Sequence, residues 1–185
     1  MIKDERNVDN IGIYSDNNEY GIIREATIDD LEAVIALQDS VYDALDNKNL
    51  FAMESREELE ESLKEDKCFC VIKDGEIVAF SILVAPRISY RNFGNYLEYD
   101  DERLLKTASV DTCFVSPKHR GKHIQQKLIL KRLEAARLAG AIEAISTVDP
   151  ENVNSLNNLK KCGFEVVEKM TLYDGLNRYV VKVEL

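Results

Sequence analysis

The sequence predicts a single α/β (α+β) domain built on a mixed, mostly antiparallel sheet. Three observations carry this. Asp74-Gly75 and Asp174-Gly175 each sit between apolar, β-branched runs, as in the tight turns of antiparallel hairpins. One long helical pattern, from Gly121 to Leu138, lies between two such runs and forms a strand–helix–strand crossover. The chain has 185 residues and 45% hydrophobic content, enough for one real core.

The elements run in this order. Residues 1–19 are rich in Asp, Asn and Glu without a sustained period and read as a polar N-terminal arm, so the folded domain is expected over 20–185. A short strand, GIIREA, opens it. Thr27 and Asp30 form a capping-box-like start to a helix with Leu31, Val34, Ile35, Leu37 and Val41 on one side. Ser55 and Glu58 repeat that signal before a more acidic helix, whose Glu57–Glu65 run reads as a solvated face. Cys68 to Ile72 and Glu76 to Val84 form the first hairpin. Residues 86–104 make a long connection holding Tyr90, Phe93, Tyr96 and Tyr99, which either line a pocket or pin the loop. Leu105 to Val115 is the next strand. The long helix comes after it, with Ile124, Leu128, Ile129, Leu133 and Ala136 at helical spacing, and then a buried strand, Ala144 to Val148. Asn152 is an N-cap for a helix that ends near Cys162, with Gly163 at the left-handed C′ position. Phe164–Leu172 and Arg178–Val183 close the chain as a second hairpin.

Charge and cysteine usage narrow the function. A net charge of −10 argues against nucleic acid as a partner. No apolar run reaches the roughly 18 residues of a membrane span, and the polar start is no secretory signal. Of the four cysteines, none forms a CxxC pair and only Cys162 lies outside an apolar run. That pattern predicts reduced, buried thiols and a cytoplasmic protein. His119 and His123 have the spacing of a metal pair but no third ligand nearby, so no metal is expected.

The stretch VSPKHRGKHIQQKL, Val115 to Leu128, is the most informative. A strand runs through a basic, glycine-bearing turn into a helix N-terminus, whose first amides lack intrahelical partners and whose dipole adds positive charge. Gly121 lets a phosphate approach the backbone, and Lys118, Arg120 and Lys122 add charge. The expected ligand is a diphosphate attached to something larger.

These residues resemble the GNAT N-acetyltransferase superfamily. Its acetyl-coenzyme A loop, V-x-P-x-x-(R/Q)-G-x-G-(L/I)-(G/A), is matched in register by Val115, Pro117, Arg120, Gly121 and Ile124. Its N-x-x-(A/S) signature before a helix ending in G-F is matched by Asn152, Ser155, Gly163 and Phe164. The departures are His123 at the second loop glycine, Gln125 at the third small position, Leu159 where many members carry a tyrosine acid, and Thr147 where some carry a glutamate base.

The resemblance, spanning about Gly21 to Leu185, implies a sheet with splayed central strands and flanking helices, and acetyl-coenzyme A as co-substrate. Pantetheine would pair with Cys113, Phe114 and Val115. The pyrophosphate would sit on Gly121, Lys122, His123, Ile124, Gln125 and Gln126 beside Arg120. Asn152 and Ser155 would hold the pantetheine arm. Asp111, which shares a strand face with Cys113 and Val115, is the expected base. The expected reaction is direct attack by a primary amine, on a small molecule or on a protein or peptide, in a ternary complex. Cys113 as a covalent nucleophile is disfavoured because no histidine partners it. Tyr173 and Tyr179 fit either packing, an acceptor cover or a homodimer contact. The alternatives are a coenzyme A-binding regulatory module without catalysis and, more distantly, a domain cradling another diphosphate.

Overall fold

The computed structural model describes residues 20–185; the predicted polar arm over 1–19 lies outside them. The elements are β1 (Ile22–Glu25), α1 (Leu31–Asp43), α2 (Arg56–Glu65), β2 (Lys67–Lys73), β3 (Glu76–Val84), α3 (Asp101–Leu104), β4 (Thr107–Val115), α4 (Ile124–Leu138), β5 (Glu143–Val148), α5 (Val153–Lys161), β6 (Glu165–Leu172) and β7 (Leu176–Glu184). The seven strands form one sheet in the order β1-β2-β3-β4-β5-β7-β6. Every pairing is antiparallel except β4 with β5, the pair joined through α4.

Helices cover both faces. Val34, Leu37 and Val41 of α1 and Leu59 and Leu63 of α2 pack on Cys68, Cys70, Phe80, Ile82 and Phe114. On the other face, Ile129, Leu133 and Ala136 of α4 and Leu159 of α5 meet Ala108, Val110, Ala144, Val148 and Val181. Each fully buried Leu or Ile here contributes about 2 kcal/mol of hydrophobic stabilisation, so the α4 stripe alone fixes that helix on the sheet. Ser55 and Glu58 complete the predicted capping box of α2, with Ser55 N donating to Glu58 Oε2 at 2.7 Å and Glu58 N donating to Ser55 Oγ at 3.2 Å.

Several boundaries differ from the sequence expectation. The long helix starts at Ile124 rather than Gly121, because Gly121 (φ 77°) and His123 (φ 58°) are left-handed and cannot continue a right-handed helix. The strand predicted from Leu105 starts at Thr107, after the last turn of α3. The 86–104 connection is not bare loop. It contains a 3₁₀ turn over Phe93–Leu97 and α3, anchored by the Asn92 side chain, which donates to the carbonyls of Arg87, Leu104 and Thr107. The 74–75 hairpin has the expected two left-handed residues, whereas the second turn uses three, Tyr173, Asp174 and Gly175. Cys68 and Cys70 are buried, but Cys113, which borders a groove, and Cys162 are only half-buried.

Two irregularities in β4 open the centre of the sheet. Against β3, Leu83 pairs with Val110 and Ser81 with Cys113, so Asp111 and Thr112 together face the single residue Ile82, a β-bulge. Against β5, pairing covers only Thr107, Ala108 and Ser109, after which the two strands part. Ser146 Oγ donates to Val110 O at 2.6 Å where the parting begins.

Candidate active site

Two cavities flank the parted strands. The larger, about 580 Å³, runs from the β4 edge over the turn into α4 and across to α5. Its walls include Cys113, Phe114, Val115, Arg120, Gly121, His123, Ile124, Gln125, Gln126, Asn152 and Ser155, the predicted cofactor residues apart from Lys122, which does not line it. Among the described residues, no protein acceptor takes the amides of Gly121 to Gln126, and the first bond of the helix runs from Lys127 N to His123 O at 3.1 Å. Those amides, the helix dipole and Arg120 on the wall suit a polyanion.

The residues after the turn are interlocked with α5. Gln125 Nε2 donates to Ser155 Oγ at 2.9 Å, Asn158 Nδ2 donates to Gln125 Oε1 at 2.7 Å, and Gln126 Nε2 donates to Asn158 Oδ1 at 2.7 Å. Asn152 caps α5, its side-chain oxygen accepting from Ser155 N at 3.2 Å, which leaves its amide NH₂ to face the groove. A long, narrow ligand with a phosphate end at the turn and a polar chain beside Asn152 fits this donor set. Acetyl-coenzyme A has that form.

The second cavity, about 330 Å³, lies on the other side of Cys113 and meets the first at Cys113, Gln125, Asn152 and Ser155. Its walls include Tyr90, Phe93, Tyr96 and Tyr173, so three of the four loop aromatics line it. Tyr99 instead lies under the Arg103 guanidinium, 3.9 Å from ring centroid to carbon, and Tyr179 packs in the α4–α5 core. Thr147 and Tyr173 share a hydrogen bond at 2.9 Å. Leu159 is buried core.

Asp111, the expected base, lines this cavity, and it is not alone. Its Oδ2 accepts from Arg91 Nη2 at 3.1 Å and its Oδ1 from the Thr112 amide at 2.8 Å. Burial pushes its carboxyl above the ordinary range against the pull of Arg91. Arg91 also reaches Asp66 at 2.7 Å and Ser62. Burial raises the Cys113 thiol, so it is a poor source of thiolate.

Four groups in this cavity escape a reading of the sequence. Glu54 accepts the Thr112 hydroxyl at 2.7 Å, and burial and then the charge of Asp111 push its carboxyl up to about 7. It stands just before the Ser55 cap, and nothing in its local pattern marks it. Arg132 is fully buried on α4 and donates to the carbonyls of Leu128, Ile82 and Asp111 at 3.2, 3.2 and 2.8 Å. Its signal is present in the sequence: it is a charge on the otherwise apolar Leu128–Ile129–Leu133–Ala136 stripe. Arg178 and Asp149 pair at 2.8 Å, and Arg178 also holds Asn49 O at 3.0 Å, tying the α1–α2 connection to the sheet.

Comparison with known proteins agrees with this geometry. The model of the acetyltransferase (GNAT) family matches residues 32–164. An L-methionine sulfoximine/L-methionine sulfone acetyltransferase from Salmonella typhimurium is 25% identical over 99 residues, 51% of this chain and 56% of that protein. The match thus spans about half of that relative's length. Among solved structures, a GNAT-family acetyltransferase from Streptococcus pneumoniae superposes with TM-score 0.67 at 16% identity, covering 88% of this chain and 98% of that one. An acetyltransferase from Salmonella typhimurium with its cofactor acetyl-CoA gives 0.64 at 19% identity over 88% and 92%. An N-acetyltransferase from Thermoplasma acidophilum in complex with coenzyme A gives 0.62 at 18% over 88% and 98%. At these identities the likeness concerns the fold.

Proposed function

The chain belongs to the GNAT acetyltransferase family, and from that membership we propose that it moves an acetyl group from acetyl-coenzyme A to a primary amine by direct attack in a ternary complex. The observation that carries the reading is the junction of two unlike cavities at Cys113 and Ser155. One offers unpartnered amides to a polyanion, and the other offers carboxylates and aromatic walls to a cation.

In this reading, the amides of Gly121 to Gln126 hold the pyrophosphate, with Arg120 and Lys122 adding charge from the turn. Cys113, Phe114 and Val115 present the free edge of β4 to pantetheine as to an added strand. Asn152 and Ser155 steady the pantetheine arm. Bound coenzyme supplies an activated acyl carbon beside the β4 bulge. A backbone amide of β4 near Val115, beyond the bulge, gives the fixed donor that the developing oxyanion needs. Asp111 stands in the acidic wall that receives the amine.

A lysine-like amine titrates near 10.4, so its deprotonation at pH 7 costs about 4–5 kcal/mol unless the site assists. The acidic wall addresses that cost. The acceptor is a small amine or an amine on a peptide, sized to a cavity of about 330 Å³.

The test is calorimetry with coenzyme A followed by thiol release from acetyl-coenzyme A across a panel of amines. Binding followed by amine-dependent release is the expected result. Binding without release for any amine favours a regulatory coenzyme A-binding module, a reading to which Leu159 and Thr147 at the usual acid and base positions lend weight. Absence of coenzyme A binding sinks both.

A further inference from the structure

Glu54 is held more rigidly than a loop residue requires. The buried Gln38 of α1 clamps its backbone from both sides, donating Nε2 to Glu54 O at 2.9 Å and accepting from Glu54 N at 3.1 Å. Its side chain reaches across to the β4 bulge, where Thr112 Oγ1 donates to Oε1 at 2.7 Å. Oε2 has only a long approach from Arg91 Nη2, 3.8 Å. Asp111 is bound more fully, one oxygen to Arg91 and the other to the Thr112 amide. Among the carboxylates lining this cavity, Glu54 and Asp111 approach the same Arg91 nitrogen, and Glu54 has the less engaged oxygen.

Resting on the acetyltransferase reading, we propose that the acceptor enters as an ammonium bound by Glu54, and that Glu54 takes its proton while Asp111, fixed by Arg91, acts through Glu54 as a positioning residue. The step balances without a further reactant. One N–H bond of the ammonium breaks and its proton goes to a Glu54 oxygen. The freed lone pair forms the bond to the acyl carbon, and the carbon–sulfur bond then breaks. The second nitrogen proton passes to the departing thiolate, and Glu54 later returns its own to solvent.

The electrostatic setting agrees. Two buried like charges cannot both ionise cheaply, so the pair keeps one proton into the neutral range, with Glu54 pushed up to about 7. The groups facing the pair are Arg91 from the 86–104 segment, Glu58 from α2, Asp66 behind Arg91, and Arg132 from α4, which draws on Asp111. Tyr96 and Tyr173 stay neutral because burial raises both. A base titrating near the working pH is suited to accept a proton and release it again.

The first experiment needs no turnover. Carbon-13 NMR of glutamate labelled at the side-chain carboxyl follows Glu54, assigned as the resonance lost in Glu54→Gln. It titrates near neutral pH in the wild type and at lower pH in Asp111→Asn. A Glu54 resonance titrating in the ordinary carboxylate range overturns the proposal.

The second uses acetyl-coenzyme A with spermidine, tyramine, glucosamine and an alanine-initiated peptide as probes. With any probe that turns over, Glu54→Gln lowers kcat about a hundredfold or more and removes the acidic limb of the pH profile. Coenzyme A affinity is unchanged. Asp111→Asn lowers kcat less than Glu54→Gln does and moves that limb to lower pH, and Glu54→Asp restores the limb at reduced rate. Full activity in Glu54→Gln, or loss of the limb in Asp111→Asn alone, overturns the assignment while leaving acetyl transfer intact. Failure of coenzyme A to bind overturns the underlying reading, and the NMR titration then decides the carboxylate pair by itself.

Discussion

Glu54 makes stability and pH dependence readable at one residue. Its carboxyl is raised in the folded chain from an ordinary 4.5 to about 7, so between those values the folded state binds the extra proton. Stability contributed by this group is therefore full below about pH 4.5 and is lost as pH rises through 7. Glu54→Gln abolishes the effect. Its melting temperature should match the wild type near pH 4.5 and exceed it at pH 8, by the equivalent of about 2 kcal/mol. Calorimetric melts at both values check the sign, and a variant less stable at pH 8 contradicts it. His123 gives a second prediction at this scale. A non-glycine residue at φ 58° is strained, and the family pattern has glycine there. His123→Gly should keep coenzyme A affinity and gain up to about 1 kcal/mol in denaturant titration, since relief of left-handed strain exceeds the added chain entropy.

At the scale of elements, the β4 bulge and α4 act as one unit. The bulge turns carbonyls away from the β3 ladder, and Arg132 meets that of Asp111 at 2.8 Å from the helix. Arg132→Met keeps the side-chain length and removes the donors. It should destabilise by about 2 kcal/mol, because orphaned buried carbonyls retain their desolvation penalty. It should also raise the Asp111 titration, since less positive charge then faces that carboxylate. Urea melts and the carboxyl NMR titration read the two effects separately.

The same elements show how much is legible in sequence. The hairpin at 74–75, the α2 capping box and the crossover around α4 come from local chemistry, and the structure has them. The α4 start is misread because left-handed residues at 121 and 123 look, in sequence, like a continuing helix. Glu54, Arg91 and Arg178 are invisible there because their partners lie far along the chain: Thr112, Asp66 and Asp149 reach them only through the tertiary fold. The proposed cofactor residues are visible because a phosphate site on a helix N-terminus is built from contiguous sequence. The proposed acceptor cavity draws on the α1–α2 connection, the 86–104 segment, β4, β5 and the β6–β7 turn, so no window of sequence contains it.

For the whole molecule, the balance of charge matters. The net charge is −10, yet the turn that leads into α4 carries Lys118, Arg120 and Lys122 in five residues. Coenzyme A affinity should therefore fall as salt rises, because the local cations are screened while the apolar pantetheine contacts are not. Ligand binding should stabilise the fold by about 2.7 kcal/mol at a hundredfold excess over Kd. Thermal shifts at low and high salt measure both.

The parting of β4 from β5 carries one more consequence. A sheet margin with unsatisfied amides ordinarily invites foreign chains to zip onto it. Here that margin lies in a wedge closed at one end by the Thr107–Ser109 ladder, so another protein's strand has no way through to the far side. Only a slender guest with a single polar thread can slip in from the open mouth. The notch thereby suits the pantetheine tail of the proposed ligand and turns away the aggregating partner that an outer margin of equal length would attract.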